Sequence, residues 1–281
     1  MKPSIETIEF HGIEAFQLNG PKGTTAVISR LGGQVLSWKT ADGRERLFLS
    51  EQAVFDGSVA IRGGVPVCFP QFASLGDLPK HGLVRTRLWS VSSQRCGDDY
   101  ALVTLEVTDD EASRAVWPHA FHAEITLMIE ADRIDVELCI TNTGGDTFEF
   151  TGALHSYLRV TQVEDIELEG LHGFDYRDAV KDTVQRDSGI ELRIEGETDR
   201  VYFNVKRPQM LHAANLSLAL QNQGFPDVVV WNPWVERCAE LKDMPNDAWR
   251  HMLCIEAAVA GEPVSLPAGE EWYGRQTLVA I

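Results

Sequence analysis

The sequence is short of positive charge: 25 lysines and arginines stand against 42 aspartates and glutamates, a formal net charge of −17. That imbalance repels phosphate backbones, and no run of Lys or Arg offsets it, so nucleic acid is excluded as a partner. Long apolar runs are missing too. The opening Met1-Lys2-Pro3-Ser4-Ile5-Glu6 has no apolar signal core, and no stretch approaches the roughly 20 apolar residues of a spanning helix. A membrane partner is therefore not expected, and a reducing cytoplasm is. Cysteine is sparse. Cys68, Cys96, Cys139, Cys238 and Cys254 are odd in number and scattered, which argues against a disulfide framework and against paired metal or redox motifs. Repeats, low-complexity tracts and Pro/Ser-rich linkers are absent as well.

Helical periodicity is rare, with only Asp110 to Val116 and Val235 to Leu241 reading as helices. What fills the chain instead is alternation. Ala26 to Ser29 and Gln34 to Trp38 flank Leu31-Gly32-Gly33, and Phe121 to Ile129 and Arg133 to Thr141 flank a turn at Glu130-Ala131-Asp132. Ala101 to Val107, Phe148 to Val160, Leu216 to Gln221, Asp227 to Trp231, Met252 to Val259 and Trp272 to Val279 follow the same period. The expected fold is all-β, a large antiparallel β-sandwich with a few short helices. A length of 281 residues would allow two domains, but such sandwiches run to this size as one unit, so residues 1–281 are expected to form a single domain.

Five stretches carry chemistry. In Ile61-Arg62-Gly63-Gly64-Val65-Pro66, two glycines free the backbone and Pro66 stiffens it, so Arg62 is expected to be held in one direction. In Lys80-His81-Gly82-Leu83-Val84-Arg85, a strand would place His81, Leu83, Arg85 and Arg87 on one face. Singly these are ordinary loop charges. Together, on so acidic a chain, Arg62, Lys80, His81 and Arg85 point to an anionic group on a small ligand, and guanidinium suits phosphate. His155 falls on the polar side of Phe148 to Val160 with Thr151, Tyr157 and Arg159, as a satisfied structural histidine or as part of a sugar-sized floor. Glu256 is the one acid in His251 to Val259; it is either paired with a cation or set to accept a proton, because an isolated buried charge is costly. In Asp227 to Trp234, Trp231, Asn232 and Trp234 offer aromatic faces and an amide to a sugar, or pack as core. Arg87, Arg159 and His251 read equally as structural or as site residues.

These residues carry a resemblance. Arg62 to Pro70, Pro79 to Arg85, Leu154-His155-Ser156-Tyr157, Thr198 to Tyr202, Val229 to Trp234 and Cys254-Ile255-Glu256 are similar, in order and from about Val59 onward, to the hexose-6-phosphate mutarotases of the aldose 1-epimerase family. The resemblance implies a β-sandwich and assigns His155 as general acid and Glu256 as general base; for anomer exchange, one acid and one base on opposite sides of the hemiacetal suffice. It places Arg62, Lys80, Arg85 and Asp199 at the substrate with His81 beside them, Arg62 and Arg85 holding the phosphate. It implies a hexose 6-phosphate substrate, no metal or organic cofactor, and is taken with a monomer. Three positions depart from the family pattern: Lys80 stands where glutamine is frequent, Gln71 where an apolar residue is, and Ala257-Ala258 where Pro-Gly is. The rival readings are a mutarotase of unphosphorylated sugars, a glycoside hydrolase with Asp199 as the second carboxylate, and a sugar-phosphate binder without catalysis.

Overall fold

The computed structural model describes residues 2–214 and 216–281. About half of these lie in antiparallel strands arranged in three sheets. A nine-stranded sheet runs through Ser90–Cys96, Ala101–Thr108, Phe121–Ile129, Arg133–Asn142 and Glu271–Ala280, and continues through Leu216–Gln223 to shorter strands at its far edge. Phe121–Ile129 shows why alternation identified these strands. Its odd-numbered residues are buried and its even-numbered ones are half exposed, so one face packs inward and the other meets solvent.

The second sheet holds eight strands, and Met252–Leu266 is at its centre, between Asp227–Asn232 on one side and Phe148–Leu154 with Tyr157–Arg159 on the other. Thr198–Tyr202 and Asp175–Asp178 extend it beyond Asp227–Asn232. One face of this sheet, with Leu154, Leu158, Val228, Val230, Ile255 and Ala257, joins Val103, Leu105, Ile125 and Leu138 of the nine-stranded sheet in one continuous core. The sandwich filling is there. The residues between them in sequence, Ala153, Val229 and Ala258, lie on the opposite face in a small separate cluster with Cys68 and Phe72. That second face is not covered by a sheet, and it floors the cavity described below.

The third sheet, Ser4–Phe10, Ile13–Asn19, Thr25–Ser29 and Val35–Lys39, forms a meander that adds Phe16, Leu18 and Ile28 to the main core. Both short helices form, as Glu111–Val116 and Trp234–Glu240. Asp110 caps the first: its carboxylate accepts from the Ser113 amide while the Ser113 hydroxyl accepts from the Asp110 amide.

One local expectation is corrected. His81 to Arg87 does not run as a strand; it is a succession of turns touching the sheet by a single parallel bridge, Phe69 to Gly82. The cause is backbone conformation: His81 and Gly82 both have positive φ, 64° and 79°, which no extended strand accommodates. Gly82 packs so closely on Phe69 that an added Cβ would stand 2.0 Å from its carbonyl oxygen. Gly82→Ala should therefore lower stability by about 1–3 kcal/mol, read as a fall in Tm. An unchanged Tm would show that this loop can move away from Phe69 freely.

Candidate active site

Sheet register assembles the site. Trp231 pairs with both Asp199 and Cys254, and Cys254 pairs with Tyr157. The neighbouring rung of the same face is Val201, Val229 and Glu256, and the 154–257 and 157–254 pairings put His155 opposite Glu256. Side chains two residues apart on a strand share a face, so His155, Tyr157, Asp199, Trp231 and Glu256 all enter one cavity. Its volume is about 620 Å³, within the roughly 300–1,000 Å³ of small-ligand sites.

Glu256 is 1% exposed and His155 8%, and their nearest atoms, Oε1 and Nδ1, stand 3.4 Å apart. Neither His155 Nδ1 nor Glu256 Oε2 has a hydrogen-bond partner among the described residues. The two groups rise side by side from adjacent positions of one floor rather than from opposite walls. Burial, reinforced by the negative charge of Asp199 and moderated by Lys80, lifts the Glu256 carboxyl well above the usual carboxylate range. Burial likewise pushes the His155 imidazole well below its ordinary value, with His81, Arg62 and Arg85 acting in the same direction.

Aromatic rings fix the orientation of His155. The Tyr157 ring stacks on it at 4.7 Å and 10°, while His81 and Trp231 meet it edge-on at 5.3 and 6.0 Å. Buried and surrounded by Arg85, Lys80 and Arg62, His81 has its pKa pushed down to about 3, so it is neutral at physiological pH. Its Nδ1 accepts from the Ala73 amide at 3.3 Å, next to Cys68 Sγ at 3.3 Å, which assigns the ring proton to Nε2.

Arg62 is held from two sides. Its Nη1 donates to Tyr157 Oη at 3.0 Å, and Nε and Nη2 both lie 3.2 Å from Asp243 Oδ2. Burial opposes its charge, and Tyr157 and Asp243 more than offset that. The two glycines after it have φ of 108° and 63°, and a Cβ on either would fall within 2.4 Å of a backbone oxygen, that of Phe48 or Val35. Only glycine lets this loop lie so close beneath the site. Lys80 and Arg85 line the cavity mouth with no ion-pair partner among the described residues; Arg85 Nη2 donates to the Lys80 carbonyl at 2.8 Å. Gln71 sets their loop, donating to the carbonyls of Leu78 and Ala73 and accepting from the Leu78 amide. Asp199, its carboxyl raised by burial, partly relieved by Lys80, lies on the far wall.

Asn232 differs from its expected place. It is fully buried below the cavity floor, and its amide donates to the carbonyls of Trp249 and Met252 while its oxygen accepts from the Trp234 amide. It anchors the chain after the strand and offers nothing to a ligand. Arg87 pairs with Asp110, Arg159 lies over the Phe48 ring, and His251 bonds the Thr161 carbonyl; all three belong to the scaffold. The Ala257-Ala258 departure leaves the strand unbroken. It bulges only after Val259, where Asp227 accepts from the amides of Ala260 and Gly261. Sequence reasoning missed Asp243, Arg177 and Arg237, which also line the cavity but lie outside the recognised motifs, Arg237 on the short helix that follows Val229 to Trp234.

The chain is similar to known proteins along most of its length. Residues 14–278 match the family model described as aldose 1-epimerase. A "Putative glucose-6-phosphate 1-epimerase" of Cenchrus ciliaris is 34% identical over 281 residues, covering 96% of this chain and 85% of that one. A protein of the same description from Escherichia coli K12 is 35% identical over 237 residues, covering 82% and 78%. The crystal structure of a Salmonella typhimurium protein described as a "putative mutarotase" superposes with a TM-score of 0.90 at 28% identity, covering 98% and 93%. With a cavity of this construction on a sandwich of this topology, and a family model spanning nearly all its length, the chain belongs to the aldose 1-epimerase family.

Proposed function

We propose that the protein is a hexose-6-phosphate mutarotase that interconverts the α and β anomers of glucose 6-phosphate. The observation that carries the reading is the Glu256–His155 pair, 3.4 Å apart and unpartnered at the floor of a cavity whose mouth holds Lys80 and Arg85. Ring opening removes a proton from the C1 hydroxyl and adds one to the ring oxygen, and both oxygens are bonded to the same carbon. An acid and a base side by side therefore suit the reaction better than groups on opposite walls would. Glu256 as carboxylate takes the hydroxyl proton while His155 as imidazolium protonates the ring oxygen. Rotation about C1–C2 and the reverse transfers close the other anomer.

The pair holds a single proton before and after opening. Carboxylate with imidazolium and carboxyl with imidazole differ only in where that proton sits. Burial favours the uncharged arrangement, so the resting pair differs from the reactive one by one short transfer. His81, neutral and carrying its proton on Nε2, serves as a hydrogen-bond donor to a sugar hydroxyl. Trp231 offers an aromatic face to the ring.

The phosphate is assigned to the mouth. Arg62 is already neutralised by Asp243, so Lys80 and Arg85 provide the uncompensated charge and Arg62 contributes hydrogen bonds. Holding the remote phosphate fixes C1 over the pair. All five cysteines are unbridged, which supports a reducing cytoplasm as the working compartment. No helix of the described residues is long and apolar enough to cross a membrane.

Two tests follow. Anomer exchange of α-glucose 6-phosphate, followed by NMR, should fall about 10²–10⁴-fold in Glu256→Gln and in His155→Asn, with circular dichroism unchanged. Glucose at equal concentration should exchange far more slowly than glucose 6-phosphate. Full activity in either folded variant would remove that residue from the reaction, and equal rates on the two sugars would remove the phosphate from the substrate.

The second test reads pH. The basic limb of kcat/KM reports loss of the pair's one proton, whose affinity is raised by Asp199 and lowered by Lys80. Asp199→Asn should therefore move that limb to lower pH and Lys80→Gln should move it to higher pH. Shifts of the same sign would show that Glu256 does not govern it.

A further inference from the structure

Cys254 takes no part in the acid–base reaction, yet it adjoins it. It is two residues before Glu256 on the same strand and pairs directly with Tyr157 and Trp231. One ligand atom each from His155, Cys254 and Glu256 lie within 4.8 Å of one another. We propose that these three side chains form a binding site for a borderline-soft divalent cation such as Zn2+, and that its occupation blocks the acid–base pair.

Four observations carry this. The donor set is one imidazole nitrogen, one sulfur and one carboxylate oxygen, a combination that selects zinc-like ions over magnesium or calcium. Donors arranged around zinc at 2.0–2.3 Å stand roughly 3.3–3.8 Å apart, and His155 Nδ1 already lies 3.4 Å from Glu256 Oε1. Two of the polar atoms, His155 Nδ1 and Glu256 Oε2, have no hydrogen-bond partner although their residues are more than nine-tenths buried. A cation resolves both deficits together. Finally, His155 and Glu256 line the cavity while the fully buried Cys254 does not, so the coordination position on the cavity side is left to a water or a sugar hydroxyl.

A second three-residue cluster, Glu106, His122 and Glu124, lacks these features. It is only half-buried, contains no sulfur, and its imidazole Nε2 is already within 3.1 Å of Glu106 Oε2.

The proton balance is explicit. Zinc binds the thiolate, the carboxylate and neutral imidazole, so the Cys254 proton and the one proton held by the His155–Glu256 pair leave to solvent. The ion's two positive charges are matched by thiolate and carboxylate. With the imidazole nitrogen and the carboxylate committed to metal, the pair can no longer pass its proton between the C1 hydroxyl and the ring oxygen. Inhibition rests on the function proposed above; binding does not.

The experiment titrates the protein with ZnCl2 in chelator-free buffer by calorimetry, with the anomer-exchange assay run in parallel. One ion should bind per chain, activity should fall in step with occupancy, and EDTA should restore it. X-ray absorption of the zinc-loaded protein should show one sulfur ligand at roughly 2.3 Å. Cys254→Ala and the volume-preserving Cys254→Ser should keep metal-free activity and bind zinc at least about 10-fold more weakly. Unchanged affinity in both variants, a shell without sulfur, or no binding at millimolar zinc would overturn the site. A protein with the sulfur-containing shell but no anomerase activity would confirm the site and refute the function.

Discussion

The site depends on keeping an imidazole and a carboxyl dry and within reach of each other. Both lie on a sheet face that also carries the small or apolar Ala153, Ala258, Val229 and Cys68. Low polarity there makes each charge costly, which shifts His155 down and Glu256 up and so favours the uncharged pair. In water the same two groups would differ by about two pH units in the sense that favours the ion pair. The protein's contribution is to work against that preference by burial while holding the geometry.

The scaffold is built to supply that rigidity. Glu256 is in the central strand, hydrogen-bonded on both sides, and Asp227 braces the bulge beyond it. His155 is stacked on Tyr157, Tyr157 is bonded to Arg62, and Arg62 is held by Asp243. Each member of this chain is buried or half-buried, so a change at one end is felt at the other. Charged groups that meet solvent, Lys80 above all, stand at the mouth, where side-chain freedom costs the pair nothing. The acidic overall charge leaves this rim as a local exception.

Much of this was legible in the chain. Phe121 to Ile129 and its partner Arg133 to Thr141 alternate because their apolar residues face the core, and Asp110 to Val116 reads as a helix and forms one. The meander of Ser4–Phe10 and Ile13–Asn19 was not named, since its first strand is mostly half exposed and so carries weak alternation. The 81–87 stretch alternates on paper, but two positive φ angles turn it away from the sheet. Asn232 adjoins cavity residues in sequence, yet its side chain faces the backbone of Trp249 and Met252. Asp243 could not be found by pattern, because its meaning comes entirely from Arg62, 181 positions earlier. Cys254 was passed over for a related reason: spacing along the chain says nothing of a neighbour on the next strand.

The Arg62–Asp243 contact has a temporal side. A second bond, from the Ser50 hydroxyl to the Asp243 carbonyl at 2.7 Å, joins segments 193 positions apart, and closing such large loops is entropically slow. During synthesis the ribosome releases Arg62, His81 and Arg85 long before Asp243 and the strand of Glu256 exist. The nascent protein thus carries its basic residues unneutralised, in search of partners, and becomes an enzyme only when nearly the last of its strands slides between two that have been waiting.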